Sequence, residues 1–225
     1  MSGPTQIDPR PDGLGSERGA ARPEERPSQA GGRPMDVLTA IRARRAVRDY
    51  RDQGVGGETI AALIEAATWA PSGMNLQPWS FVVVEGREAL AACSARAKAL
   101  LRSAAADHPE LAGLAPMLAA PEFNIFYNAP VLIVVCATAP DEMAAKDCCL
   151  AAENLMLAAT ALGLGSCWIG LSEAWLNTDE GKAALGVPQA FRPVAPIILG
   201  YPKAAPPATS RRAPDVRHVA RVLTS

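Results

Sequence analysis

Apolar residues recur along this chain at spacings that change from helical to extended and back. Val37, Leu38 and Ile41 form a short helical stripe that ends in arginines. Ile60, Leu63, Ile64 and Ala67 stand at i, i+3, i+4 and i+7, which predicts a helix over 59–69. Pro71 disfavours helical geometry at Ala70 and so stops it. "WSFVVVE" (79–85) is β-branched and aromatic, hence a strand, and the alanine-rich stretch 88–104 predicts another helix. Pro109, Pro116 and Pro121 break any long helix within 105–126, which fits no single element. A buried strand is expected over 130–138, inside "APVLIVVCATA", followed by a helix from about Asp147 to Leu162 that Gly163 caps. "SCWIG" (166–170) and "VAPIILGY" (194–201) read as further buried strands. Helices and strands share one apolar core, so a single α/β or α+β domain with a layered sheet follows.

Residues 1–34 break this pattern. They hold prolines and glycines, no aromatic residue, and arginines balanced by acids, too little apolar area to offset the entropy of ordering. They are expected to form a disordered extension ahead of a folded domain over 35–225. With 225 residues, 49% hydrophobic and 20% charged, the rest can build a real core. A net charge of -1 supplies no global attraction for nucleic acid or an acidic membrane. No apolar run reaches the roughly 18–20 residues of a membrane-spanning helix. Neither a secretory leader pattern nor a metal-ligand spacing is visible, and the five cysteines lie mostly in apolar segments. Reduced thiols packed as small hydrophobes, no metal and a cytoplasmic location are therefore expected.

Against that neutral background the arginines are a local feature. "RRAVRDY" (44–50) follows Arg42, and Arg211 and Arg212 form a second pair in a proline-flanked C-terminal arm. Cations at a helix C-terminus need no further reason. Two separated guanidinium groups, however, can grip one phosphate bidentately. If the first helix continues, Arg44 and Arg48 share a face. "APSGMNLQPW" (70–79) could be an ordinary terminating turn, but Ser72, Asn75 and Gln77 also present neutral hydrogen-bonding groups suited to a ring bearing carbonyl and imino functions. "GLGSCWIG" fails as a dinucleotide fingerprint: it follows a helix and precedes a strand, with Trp168 at the third glycine position. A cap plus tight turn accounts for it, while Gly170 also lets backbone approach a planar ligand. With two histidines and no G-x-S-x-G, no nucleophile–base set stands out, which fits an enzyme whose cofactor carries the reaction.

These segments coincide, in order, with the motifs of a known family. "RRAVRDY", "AATWAPSGMNLQPWSFVVV", "NAPVLIVV", "DCCLAAENLMLAATALGLGSCWIG" and "PIILGYPKAAPPATSRRAPDVRHV" resemble the FMN-dependent nitroreductase-like flavoproteins over residues 35 to about 220. The resemblance implies an α+β sandwich around a mostly antiparallel central sheet flanked by helices, in an intertwined homodimer with FMN at the interface. Arg44, Arg45 and Arg48, with Arg211 from the C-terminal segment, match the family's phosphate grip. Ala46 stands where many members carry serine, so only its backbone could serve the phosphate. Pro71, Ser72, Gly73 and Asn75 match the loop that the partner subunit lays along the isoalloxazine. Ile169 and Gly170 match the stretch that approaches the ring near its reactive edge. Glu153 replaces an expected uncharged amide.

The implied activity is transfer of electrons from NADH or NADPH, through FMN, to a nitroaromatic, quinone or related small-molecule acceptor by a ping-pong mechanism. No catalytic side chain is assigned, because water or substrate can supply protons. A reductive dehalogenase or other specialised member is the alternative within the family, although the acidic, tyrosine and lysine lid of dehalogenases is missing from 105–126, where lysine is absent. A non-catalytic binding module using the arginines is the alternative outside it. Phe123, Phe126 and Tyr127 could wall a pocket, with Tyr127 leaning towards core.

Overall fold

The structure, a computed structural model, describes residues 35–105 and 113–219. The expected extension over 1–34 and part of the 105–126 region lie outside them. In chain order the elements are α1 (Val37–Ala43), α2 (Gly57–Thr68), β1 (Trp79–Glu85), α3 (Arg87–Ala104), α4 (Ala115–Ala119), β2 (Val131–Ala137), α5 (Glu142–Ala161), β3 (Gly165–Trp168), α6 (Glu173–Leu176), α7 (Asp179–Ala184) and β4 (Arg192–Gly200). Among the described residues, 3-10 turns at Gly73–Asn75 and Gly170–Ser172 interrupt the connections.

The four strands form one antiparallel sheet in the order β1-β2-β4-β3. Every residue of β2 is buried. Val131, Ile133, Val135 and Ala137 face a core shared with α2 and α5, whereas Leu132, Val134 and Cys136 face a second core with α3, α6 and the 125–129 segment. A strand covered on both faces has no reason to alternate, which is why "VLIVVCA" is uniformly apolar. The result is the α+β layered architecture expected from the sequence.

Pro196 sits within the central strand β4, where a missing N–H is normally disfavoured. Its carbonyl accepts from the Ile169 amide at 2.8 Å, just beyond the last residue of β3. The absent donor therefore falls where the ladder has already ended. A register shift opposite Val135 and Cys136 bends β4 near the same point.

Several boundaries differ from the sequence expectation. Helix α5 starts at Glu142 rather than near Asp147, because the Asp141 carboxylate accepts the Ala144 amide at 2.9 Å and caps it. Strand β3 ends at Trp168, so Ile169 and Gly170 lie in the turn that follows it. The short helices α6 and α7 carry too little periodicity to be seen in sequence; α7 is fixed by Thr178, whose hydroxyl accepts from the Gly181 amide at 3.0 Å. Gly163 caps α5 as expected, with φ of 77°. All five cysteines are free and four are buried, and burial pushes the Cys148 thiol up to about 12.

Candidate functional site

The first arginine segment is not a helix. Helix α1 ends at Ala43, and Arg44, at φ -55° and ψ 130°, turns the chain into an extended run. Arg44 and Arg48 therefore do not share a helical face. The run docks on the open edge of β3 instead: Ala46 pairs with Ser166 and Tyr50 with Pro202. Val47 is the clamp. Its amide donates to the Ser166 carbonyl at 2.9 Å, and its own carbonyl accepts from the buried Tyr50 hydroxyl at 2.6 Å. Burial, with the nearby Cys167 thiol, pushes the Tyr50 phenol far above its usual range, so it stays protonated and donates. Tyr50→Phe removes that donor and is expected to cost about 1–3 kcal/mol of stability, read as a lower midpoint in urea unfolding.

Gly165 explains the glycine that no nucleotide fingerprint accounted for. A Cβ at this position would lie 2.7 Å from Cβ, Cγ1 and Cγ2 of Val47. The residue at 165 has no side chain so that the arginine segment can lie flat against β3.

From this backbone the guanidinium groups fan out. Arg45 is half-buried, and its Nη1 donates to the carbonyls of Arg42 (2.6 Å) and Arg44 (2.7 Å). Its Nε is buried with no partner among the described residues. Arg42, Arg45, Thr209 and Arg211, with Ile41, line one cavity of about 360 Å³. The two basic clusters, far apart in sequence, thus converge. Arg211 is preset there by its Thr209 hydroxyl (2.7 Å) and Ser210 carbonyl (3.2 Å). Arg42 is an addition to the residues expected from the motif; its place just ahead of the arginine run was the available signal.

Arg44 and Arg48 point elsewhere. Arg44 Nε lies 3.4 Å from the Glu153 carboxylate of α5, which gives the unexpected acid a partner. Arg48 sits 5.6 Å over the Tyr127 ring, itself edge-on to Phe123 at 5.9 Å between centroids. Tyr127 is half-buried against the second core, so it is both core and cation platform. Arg48 and Arg44 both pull the Cys167 thiol down against a larger upward push from burial, which places their charge beside β3.

The amide loop is ordered by its own side chains. Ser72 Oγ accepts the Gln77 amide at 2.9 Å, and Gln77 Nε2 donates to Asn75 Oδ1 at 3.2 Å. Left-handed backbone falls on Met74, Asn75 and Gln77 (φ 52°, 56° and 50°) and not on Gly73. Asn75 and Gln77, with Thr68, Trp69 and Ala70, line a second cavity of about 420 Å³ that contains none of the arginines. Ile169 is buried, whereas Gly170 is exposed beside Glu173, whose carboxylate accepts from Trp168 Nε1 at 2.7 Å. One chain therefore brings together Arg45 and Arg211 but leaves Pro71–Asn75 apart from them.

A four-stranded antiparallel sheet between two helical layers, with a guanidinium-lined cavity between the end of α1 and the C-terminal arm, makes an α+β scaffold with a site suited to an anionic ligand. The chain belongs to the Nitroreductase family, whose model matches residues 41–201. It is 31% identical over 189 residues to a protein of Methanothermobacter thermautotrophicus provisionally named NADH dehydrogenase/NAD(P)H nitroreductase, covering 82% of this chain and 87% of the relative. Among solved structures it resembles a nitroreductase with bound FMN from Bacteroides fragilis, with a TM-score of 0.73 and 31% identity over 82% of this chain and 99% of the other. A Desulfitobacterium hafniense nitroreductase with bound FMN matches at a TM-score of 0.70 and 27% identity, with the same coverage of both chains.

Proposed function

We propose that this member of the Nitroreductase family is an FMN-dependent oxidoreductase that takes electrons from NADH or NADPH and passes them to a nitroaromatic, quinone or related electrophilic acceptor. The observation that carries the reading is the cavity in which Arg42, Arg45 and Arg211 converge, with Arg45 Nε buried and unpartnered. A buried, unsatisfied donor among three positive charges suits a dianionic phosphate.

On this reading Arg42, Arg45, Arg211 and the Thr209 hydroxyl hold the phosphate. Arg44 and Arg48 supply further positive charge along β3, and the backbone of Ala46 takes the place of a serine hydroxyl. Ile169 and Gly170 offer backbone to one edge of the ring. When bound, FMN supplies the capacity to accept two electrons from one substrate and deliver them to another, which makes ping-pong kinetics the expected pattern. The protein binds, orients and charges the site; no side chain is assigned a proton-transfer role.

Pro71, Ser72, Gly73 and Asn75 reach the ring from a partner subunit. Three features support a homodimer. The loop and arginine cavities lie apart on one chain. Val37, Leu38 and Ile41 of α1, Met143 and Leu150 of α5, and Met74 and Leu76 of the loop are exposed apolar residues. The arm over 203–219 leaves the sheet as an exposed segment without regular structure, carrying Val216 and Val219. The dehalogenase alternative gains nothing from Lys98, the lysine beside the 113–123 segment, because its ammonium donates to the Ala120 and Phe123 carbonyls at 2.7 Å each.

Purified protein reconstituted with FMN is expected to be yellow and to bleach anaerobically with NADH or NADPH. Candidate acceptors then restore the colour, with parallel double-reciprocal plots. Protein that neither retains nor rebinds FMN contradicts the proposal.

A further inference from the structure

We propose that Asp147 is a positioning residue for the 71–77 loop, a role that rests on the flavin reading only for what the loop touches. Asp147 lies in the second turn of α5, inside the protein, at 5% exposure. A carboxylate taken out of water is costly unless it is hydrogen-bonded. Among the described residues its donor is the Gly73 amide, which reaches Oδ2 at 3.1 Å and Oδ1 at 3.3 Å. A buried charge spent on one backbone N–H of a surface loop points to that loop as what it serves.

The loop needs such a tether. Three of the four residues from 74 to 77, namely Met74, Asn75 and Gln77, hold left-handed backbone, a conformation that persists only when the surroundings impose it. Ser72 and Asn75 bond to Gln77, but those contacts are internal and cannot set the loop's height over the body. Its ends are held by the last turn of α2, through Ala70 to Ala67, and by the Thr138 amide on the Pro78 carbonyl. Between those ends, Asp147 is the side chain of the body that grips the loop's backbone. Met143, one turn earlier on α5, lies beneath the same residue, its Cε 3.8 Å from where a Gly73 Cβ would be. Gly73 has ordinary space and no left-handed φ, so the position is set by its N–H and not by lack of a side chain.

Two variants separate the hydrogen bond from the bulk of the side chain. Asp147→Ala removes the acceptor; Asp147→Asn keeps an oxygen able to accept from Gly73. Amide hydrogen exchange of the protein without added flavin is expected to accelerate about tenfold or more over 73–77 in D147A, with the β2 and β4 amides unchanged, and to return towards wild type in D147N. With FMN added, D147A is expected to bind about tenfold more weakly and to shift the visible flavin band, while D147N stays within about threefold of wild type. Unchanged exchange over 73–77 in D147A overturns the proposal. So does accelerated exchange with FMN affinity and spectrum unaltered, since the loop would then not be positioned for the ring. Should D147A fail to fold, the D147N arm decides: exchange and affinity both collapsed despite the retained acceptor contradict a hydrogen-bonding role, and near wild-type values uphold it. If wild-type protein binds no FMN, the flavin reading fails, and the exchange arm still decides whether Asp147 sets the loop.

Discussion

Arg45→Ala is expected to weaken FMN binding by about tenfold to a hundredfold, measured by equilibrium titration of flavin fluorescence, because a hydrogen bond to a charged group contributes roughly 1.5–3 kcal/mol. Arg45 is half-buried, and its guanidinium is held over the C-terminal carbonyls of α1, so little is lost in ordering it when an anion arrives. Arg211 belongs to the same cavity but lies on an exposed arm, where solvent screens its charge. Arg211→Ala is therefore expected to cost less, about threefold to tenfold. The effect of either variant should shrink as salt is raised, more so for Arg211. Arg44→Ala tests a different balance, since it also frees Glu153. Unfolding midpoints without flavin separate loss of binding from loss of fold.

Gly165→Ala carries the second large effect, and it acts at a distance from any ligand contact. Val47 is held by the Ser166 carbonyl on one side and the Tyr50 hydroxyl on the other, so it cannot retreat from a methyl group 2.7 Å away without breaking one of those bonds. Overpacking of this kind costs about 1–3 kcal/mol, which for a domain of this size lowers Tm by roughly 3–10 °C. Since Ala46 and Arg48 flank Val47, FMN affinity is expected to fall as well, though Gly165 lines neither cavity. Gly57→Ala is the matched control. Nothing lies within 4 Å of its Cβ position, and it stands at the start of α2, so thermal unfolding of that variant should be unchanged or slightly later.

Much of this is legible in the amino-acid sequence itself. The period of Ile60, Leu63, Ile64 and Ala67 located α2 because that helix buries one stripe and exposes the rest. "WSFVVVE" and "VLIVVCA" located β1 and β2, and the uninterrupted apolarity of the latter marked a strand covered on both faces. What misled was the arginine run. Helical spacing allowed Arg44 and Arg48 to share a face, yet the segment is extended because its backbone bonds are taken by the edge of β3, a partner 120 residues away that no local pattern reveals. Asp147 escaped for a similar reason: its role depends on a loop 74 residues earlier. Gly165 looked like a fragment of a nucleotide motif, and its purpose emerged only from the contact with Val47. The order of motifs identified the family, whereas the residues that hold those motifs in place are scattered.

If the cavity of Arg42, Arg45 and Arg211 takes the phosphate of a flavin mononucleotide, the protein must distinguish FMN from riboflavin. The two ligands share the ring and differ in that group. Wild-type protein is expected to bind FMN at least about a hundredfold more tightly than riboflavin, from two or more charged hydrogen bonds. In a variant lacking both Arg45 and Arg211 the difference should nearly vanish. Equal affinity of the wild-type protein for the two flavins would mean that the arginine cavity does not hold the phosphate.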